Sequence, residues 1–227
     1  MSKPSKLWYL SQFKLFSEMS HPEMEEMDRI TVMKEYKKAQ PIYLPGDPAN
    51  TIYLLKKGKV RITHISDEGK EATLAILAPG DIFGELALLD EGETRNEVAE
   101  ALEDCYICLV NKENFEQMLM MKPGLSLKIT KFLGLRLKTI ENQVQNLVFK
   151  DVPARLEELL GRLAKEFGTA HPEGTLVNIK LTHQEIGNLI NASRQTVSEC
   201  LGDLKQQGKI KTEGHKIVLL SQKTPSL

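Results

Sequence analysis

The sequence predicts an α+β fold: a β-rich N-terminal half of sandwich or barrel type, a long connecting helix, and a small C-terminal unit of short helices closed by a β-hairpin. Three observations predict it. Gly46, Gly58, Gly69, Gly80 and Gly92 recur 12, 11, 11 and 12 residues apart, the spacing of short strands joined by tight turns. Leu133, Leu137, Ile140, Val144 and Leu147 then follow at intervals of 4, 3, 4 and 3 residues, a helical seam. Finally, two short capped segments lie between Thr182 and Gln206, with a glycine-bounded hairpin after them.

In the N-terminal half, residues 17 to 39 open with Ser17 and carry Met19, Met24, Met27, Ile30 and Val32 among many charges, which reads as short helices. From Ile42 the texture changes to β-branched and apolar runs, and strands are expected near 42–44, 51–56, 59–65, 71–77, 97–101 and 105–110. Lys56-Lys57-Gly58-Lys59 and Asp67-Glu68-Gly69-Lys70 are hairpin turns, because glycine supplies the positive φ that such turns need.

The seam from Leu133 to Leu147 spans two heptads. Either this helix packs on its own β domain, or the seam joins two copies of the chain about a two-fold axis. Asp151-Val-Pro153 ends it, since proline disfavours helical geometry in the residue before it.

Downstream, Thr182 stands three residues before Glu185, a capping box that starts a helix. Ile186, Leu189 and Ile190 give that helix an apolar face, Asn191-Ala192 makes a turn, and Ser193 caps a second helix. The second helix buries Val197, Cys200, Leu201 and Leu204, and shows Arg194, Gln195, Ser198 and Glu199 on its other face. Such a pair fits a helix-turn-helix, whose second helix offers its first turns to base edges in the major groove of double-stranded DNA. Arginine suits guanine and glutamine suits adenine. The hairpin from Gly208 to Leu219 reads as a wing whose Lys209, Lys211 and Lys216 reach phosphates. A small helical domain exposing ordinary polar residues is the alternative.

Composition bounds the function. The 227 residues carry a formal net charge of −1, but from Val152 onward ten basic residues face eight acidic ones, so a basic surface is permitted there. No apolar run reaches the roughly 18 residues of a membrane span, and Met1-Ser-Lys-Pro-Ser-Lys-Leu-Trp8 lacks the pattern of a secretory signal. Cys105, Cys108 and Cys200 form no disulfide framework, so a reduced, cytoplasmic setting is expected. Cys105 and Cys108 lie three apart in an expected strand and point to opposite faces, which argues against a shared metal. Buried apolar packing is the reading, with a redox role the alternative, and Cys200 is expected on the buried face of its helix. No nucleophile–base pair, metal cluster or carboxylate pair stands out, so neither catalysis nor a metal is expected.

Thr182-His-Gln184-Glu-Ile-Gly followed by Ser193-Arg-Gln-Thr196-Val resembles the helix-turn-helix of the Crp/Fnr family of catabolite-activator-like regulators. Leu147-Val-Phe-Lys-Asp-Val152 resembles that family's hinge. Pro79-Gly-Asp-Ile-Phe-Gly84-Glu85-Leu86-Ala87-Leu88, then Arg95, resembles its cyclic-nucleotide-binding cassette, and the glycine-spaced strands its jelly roll. The resemblance covers roughly residues 10 to 220. It implies a cyclic-nucleotide-binding-like sensor domain over 1–123, a dimerisation helix and hinge over 124–151, and a winged helix-turn-helix over 152–227. It also implies a homodimer with seam Leu133, Leu137, Ile140, Val144 and Leu147, a palindromic operator, and RNA polymerase as a partner. DNA contacts would come from Thr182, Gln184, Ser193, Arg194, Gln195, Thr196, Ser198, Glu199, Lys209, Lys211 and Lys216.

For the cassette the expected ligand residues are Gly84, Glu85, Leu86, Ala87, Arg95 and Asn96. A loop entering a short helix offers free N–H groups to an anion. The resemblance gives Glu85 the ribose hydroxyl and Arg95 the cyclic phosphate; a structural Glu85–Arg95 ion pair is the alternative. Members that bind cyclic AMP place a small hydroxyl residue after the arginine, where this chain has Asn96 and then Glu97. They also offer a Thr-Ser pair to adenine, where it has Ile140-Glu141, with Thr139 one step off. Cyclic AMP, another small nucleotide, and no effector all stay open. Gln195 and Glu199 depart from the family's glutamate and second arginine, which implies a different operator. Iron–sulfur members carry an N-terminal cysteine cluster that this chain lacks, and His64 reads as structural rather than as a haem ligand. A regulatory module acting on a protein is the competing class.

Overall fold

The computed structural model describes Lys6, Phe13, Phe16 and residues 19–88, 94–214 and 216–221. Gly92 and Ser17 lie outside the described residues. The chain divides into two compact units, residues 1–137 and 138–227.

The first unit opens with α1 (His21–Ile30), where the Glu23 carboxylate accepts from the Ser20 N–H at 2.7 Å and Pro22 stands in the first turn. The helices expected over 17–39 are found over residues 21–30 and corrected after them. The chain turns at Thr31 into β1 (Thr31–Tyr36), which pairs antiparallel with β8 (Cys105–Asn111) from Thr31↔Val110 to Tyr36↔Cys105. Long-range pairing decides what a charged hexapeptide alone does not.

The expected strands appear as β2 (Pro41–Tyr43), β3 (Thr51–Lys57), β4 (Val60–Ile65), β5 (Glu71–Leu77), β7 (Glu97–Ala101) and β8. A short β6 (Ile82–Phe83), not foreseen, pairs with β3. They form two four-stranded antiparallel sheets, β1-β8-β3-β6 and β2-β7-β4-β5. Gly58, at φ 89°, makes the β3–β4 turn, where a Cβ would come 2.5 Å from the Cys105 Sγ.

Strand alternation builds two cores. Tyr43, Tyr53, Leu55, Ile62, Phe83 and Ile107 pack together from the inner faces of both sheets. Ile52, Leu54 and Val110, on the opposite face of the first sheet, pack with Met27 of α1, Phe115 of α2 (Lys112–Met121) and Ile129 of α3 (Pro123–Phe149). Cys105 belongs to the first core and Cys108 to the second, as their spacing required.

The second unit contains α4 (Val152–Phe167), with Asp151 capping it by accepting from the Ala154 N–H and Pro153 in its first turn. A hairpin of β9 (Gly168–His171) and β10 (Gly174–Val177), not assigned from sequence, follows. Then come α5 (His183–Ile190), α6 (Arg194–Gln206), β11 (Ile210–Glu213) and β12 (Lys216–Leu220). Their sheet runs β11-β12-β10-β9.

Candidate effector cassette and nucleic-acid interface

Gly84 sits at φ 76°, and a Cβ there would meet the Tyr53 ring at 2.8 Å and the Thr51 carbonyl at 2.9 Å. Only glycine fits so close an approach. The expected short helix after it is a single 3₁₀ turn, Glu85–Leu88, whose Ala87 N–H is taken by the Gly84 carbonyl at 3.2 Å. Ala87 is buried and Leu86 exposed.

Arg95 is buried. Its Nη1 donates to the Gly84 carbonyl at 3.1 Å and its Nη2 to the Thr51 carbonyl at 2.5 Å. Its guanidinium lies 4.7 Å from the centre of the Tyr43 ring, a cation–π distance. Glu85 takes another partner: its Oε1 stands 3.2 Å from Nη1 of Arg136 on α3. A Glu85–Arg95 ion pair is thus not how these side chains are satisfied. Arg136, whose Nη1 also donates to the Ile82 carbonyl at 3.4 Å, went unnoticed in the sequence because it lies off the apolar seam.

Two atoms in this cluster, Glu85 Oε2 and Arg95 Nε, are buried without a hydrogen-bond partner among the described residues. Buried polar atoms rarely stay unpaired, and here one acceptor and one donor are left so. Burial alternates along the segment, placing Arg95, Glu97 and Ala99 inward and Asn96 outward. The Asn96 carbonyl lies 3.1 Å from His64 Nδ1, a structural contact for that histidine. The Tyr43 hydroxyl donates to Glu97 at 2.8 Å. Burial first, then the Glu97 charge, raises the Tyr43 pKa above the ordinary phenol range.

In the second unit, Thr182 caps α5: its hydroxyl accepts from the Glu185 N–H at 3.2 Å while Glu185 accepts from the Thr182 N–H at 2.7 Å. Asn191 ends the helix at φ 52°. A Cβ on Gly187 would stand 2.4 Å from the Ala192 carbonyl, so this glycine lets the turn close against the helix. Arg155 of α4 donates to the Ile190 carbonyl at 3.0 Å and to that of Asn191 at 3.4 Å, fixing the turn from behind. Neither role was legible beforehand.

Ser193 caps α6 by accepting from the Thr196 N–H at 3.0 Å. Val197, Cys200, Leu201 and Leu204 are buried, which leaves Arg194, Gln195, Ser198 and Glu199 exposed. Gln195 Nε2 donates to Glu199 at 3.0 Å, and Gln184 Nε2 to Asn188 at 2.9 Å. The three wing lysines all have neighbours: Lys209 pairs with Glu157 at 2.8 Å, Lys211 with Glu173 and with Glu213 at 3.0 Å, and Lys216 donates to Asn178 at 2.6 Å. Exposed pairs of this kind hold weakly.

On α3, Leu125 and Ile129 are buried, whereas the seam residues are open: Leu137 is 57% exposed and Val144 55%. Leu133, Ile140 and Leu147 are exposed as well.

Among the described residues, His171, Glu173 and Glu213 bring possible metal-ligand atoms within 4.8 Å of one another. The Lys211 ammonium already pairs with both carboxylates, and His171 Nδ1 accepts from the Glu173 N–H at 3.2 Å. Nε2 of a neutral ring then carries the proton, opposite to what coordination through Nε2 needs. Burial pushes the Cys105 thiol up to about 11 and raises that of Cys108, which makes both poor nucleophiles. No described helix is long and apolar enough to cross a membrane.

Residues 33–122 match the cyclic nucleotide-binding domain and residues 154–223 the Crp-like helix-turn-helix domain. The chain is 35% identical over 186 residues to the cAMP-activated global transcriptional regulator CRP of Pasteurella multocida, covering 82% of this chain and 88% of that protein. It is 30% identical over 185 residues to the CRP-like cAMP-activated global transcriptional regulator of Mycobacterium tuberculosis, covering 82% of each. Among solved structures, the c-di-GMP responsive global regulator CLP of Xanthomonas campestris superposes with a TM-score of 0.78 at 26% identity, over 89% of this chain and 100% of that one. A CooA variant from Carboxydothermus hydrogenoformans gives 0.72 at 30% identity, over 97% and 93%.

Proposed function

The chain belongs to the Crp/Fnr family of DNA-binding transcription regulators, and on that premise we propose how its parts divide the work. A sensor over 1–123 governs, through the helix and hinge at 124–151, the DNA affinity of the winged helix-turn-helix at 152–227. One observation carries this reading: α6 is capped by Ser193, buries its apolar face, and turns Arg194, Gln195, Ser198 and Glu199 outward together.

In this reading Arg194 reads guanine and Gln195 adenine, while Glu199 accepts from a cytosine amino group. Thr182, Gln184, Ser193 and Thr196 position the helix on the backbone beside Lys209, Lys211 and Lys216. The exposed seam from Leu133 to Leu147 pairs two copies, which favours a palindrome with half-sites about 34–36 Å apart. RNA polymerase is the expected further partner and the cytoplasm the setting; the relatives are transcription regulators rather than enzymes.

The effector is a small nucleotide, cyclic AMP or another, held by Gly84, Glu85, Leu86, Ala87 and Arg95, with Asn96 at the rim. The unpartnered Arg95 Nε and Glu85 Oε2 support this reading. Both relatives described above are named as activated by cAMP, and one structural neighbour as responsive to c-di-GMP. Thermal shift against a panel of cyclic nucleotides tests it, since ligand at a hundredfold excess over Kd adds about 2.7 kcal/mol; a flat response favours an effector-independent regulator. For the DNA end, Arg194→Ala should abolish binding to a selected operator in a gel shift, while Lys209→Ala weakens all sequences alike. Unchanged operator affinity in Arg194→Ala would overturn the assignment.

A further inference from the structure

The cassette contains a carboxylate that its anion site does not need. Arg95 has no carboxylate at ion-pairing distance among the described residues; its two Nη atoms face carbonyl oxygens and its Nε faces none. Glu97, two residues on and also inward, is 9% exposed. Its carboxylate accepts from Tyr43, and the Tyr43 ring lies against the Arg95 guanidinium. Carboxylate, phenol and guanidinium are thus connected in series inside the roll. Among the described residues the other charges here include Glu85 and its partner Arg136, Asp47, whose charge acts on Tyr53, and Asp81, close enough to Arg136 to feel its charge. A negative charge in so dry a place is poorly screened.

We infer that Glu97, held by Tyr43, is an affinity- and specificity-setting residue of the effector site, which weakens its hold on the single negative charge of a cyclic monophosphate. This rests on the reading of the cassette as a nucleotide-phosphate site. The carboxylate balances Arg95 at a distance while no ligand is present, and repels a phosphate brought to the free Nε. The Tyr43 hydroxyl, committed to Glu97, is not available to donate to that phosphate.

The test is calorimetric titration of wild type and Glu97→Gln with cyclic AMP and cyclic GMP at matched ionic strength. Glutamine keeps an acceptor for the Tyr43 hydroxyl while removing the charge. Glu97→Gln should bind the nucleotide at least about tenfold more tightly than wild type, and Glu97→Ala, should the amide disturb the pair, should shift in the same direction. Melting curves establish that each variant is folded. Equal or weaker binding in both variants, with wild type binding measurably, overturns the role of Glu97 and leaves the cassette reading intact. If neither wild type nor either folded variant binds either nucleotide, the cassette reading fails and the inference falls with it.

Discussion

Replacing Lys56 with methionine should stabilise the protein near neutral pH, and by an amount that shrinks as the pH rises. Lys56 sits in β3 in the core shared with α1 and α2, 7% exposed, with its Nζ 3.5 Å from the centre of the Phe13 ring and 5.7 Å from that of Phe16. The Nζ has no hydrogen-bond partner among the described residues. Burial lowers its pKa from 10.5 to about 7, with only the neighbouring Cys108 acting in the opposite sense.

The sign follows from linkage. The unfolded chain keeps the proton up to its ordinary pKa, while the folded chain releases it above about 7. Between those values the unfolded state binds more protons, so stability climbs with pH, by about 1.4 kcal/mol per unit. The wild type should therefore gain about 2–3 kcal/mol between pH 7 and 9 that Lys56→Met does not gain. Well below pH 7 the charged amine carries its full penalty, reduced by about 1–2 kcal/mol through the Phe13 face, and by pH 7 the folded chain has begun to relieve it by releasing the proton. Cys105 and Cys108, with raised pKa values, lower stability above pH 9; Cys105 does so in both proteins, whereas Cys108 feels the Lys56 charge, so the comparison is read at pH 9 and below. Urea unfolding followed by far-ultraviolet circular dichroism at pH 6, 7, 8 and 9 measures it. A pH-independent difference, or a Lys56→Met protein less stable than wild type at pH 7, would refute the argument.

Gly84→Ala should abolish nucleotide binding and lower the melting temperature, because the new Cβ meets Tyr53 and Thr51 below 3.0 Å at a positive φ; about 2 kcal/mol is expected by urea unfolding. Ile140→Asp should give a monomer by light scattering and lose operator binding, since this exposed seam position is proposed to pack against its symmetry mate. Glu213→Gln should loosen Lys211, raising affinity for non-specific DNA several-fold and steepening its dependence on salt; an unchanged salt slope would mean that Lys211 makes no phosphate contact.

How legible each part was depends on how local its determinants are. Glycine at Gly58, Gly69 and Gly80 marks turns in the chain itself, so the strands between them were readable. Thr31–Tyr36 carries a lysine and a glutamate with no marker at either end, and its partner β8 lies far along the sequence; a charged segment after a helix therefore read as more helix. The β9–β10 hairpin is short, interrupted by Pro172, and held by pairing of β10 with β12. The helix-turn-helix was readable nearly residue by residue, since Thr182 with Glu185 and Ser193 with Thr196 are contacts three residues apart.

The cassette is the opposite case, and its chemistry explains why. The motif located Glu85 and Arg95, yet their surroundings come from Tyr43 on β2, Thr51 and Tyr53 on β3, Glu97 on β7 and Arg136 on α3. No local spacing joins these residues. Each also alters the others: Tyr43 touches both Arg95 and Glu97, and Glu85 is divided between Arg136 and an oxygen left unpaired. Substitutions in α6 should then act on the operator one base at a time, nearly additively. Substitutions at Tyr43, Arg95 and Glu97 act through one connected charge system and should couple. On the proposed reading, an operator can be re-read by single changes on the exposed face of α6, whereas changing an effector would require the buried residues around Arg95 to change together.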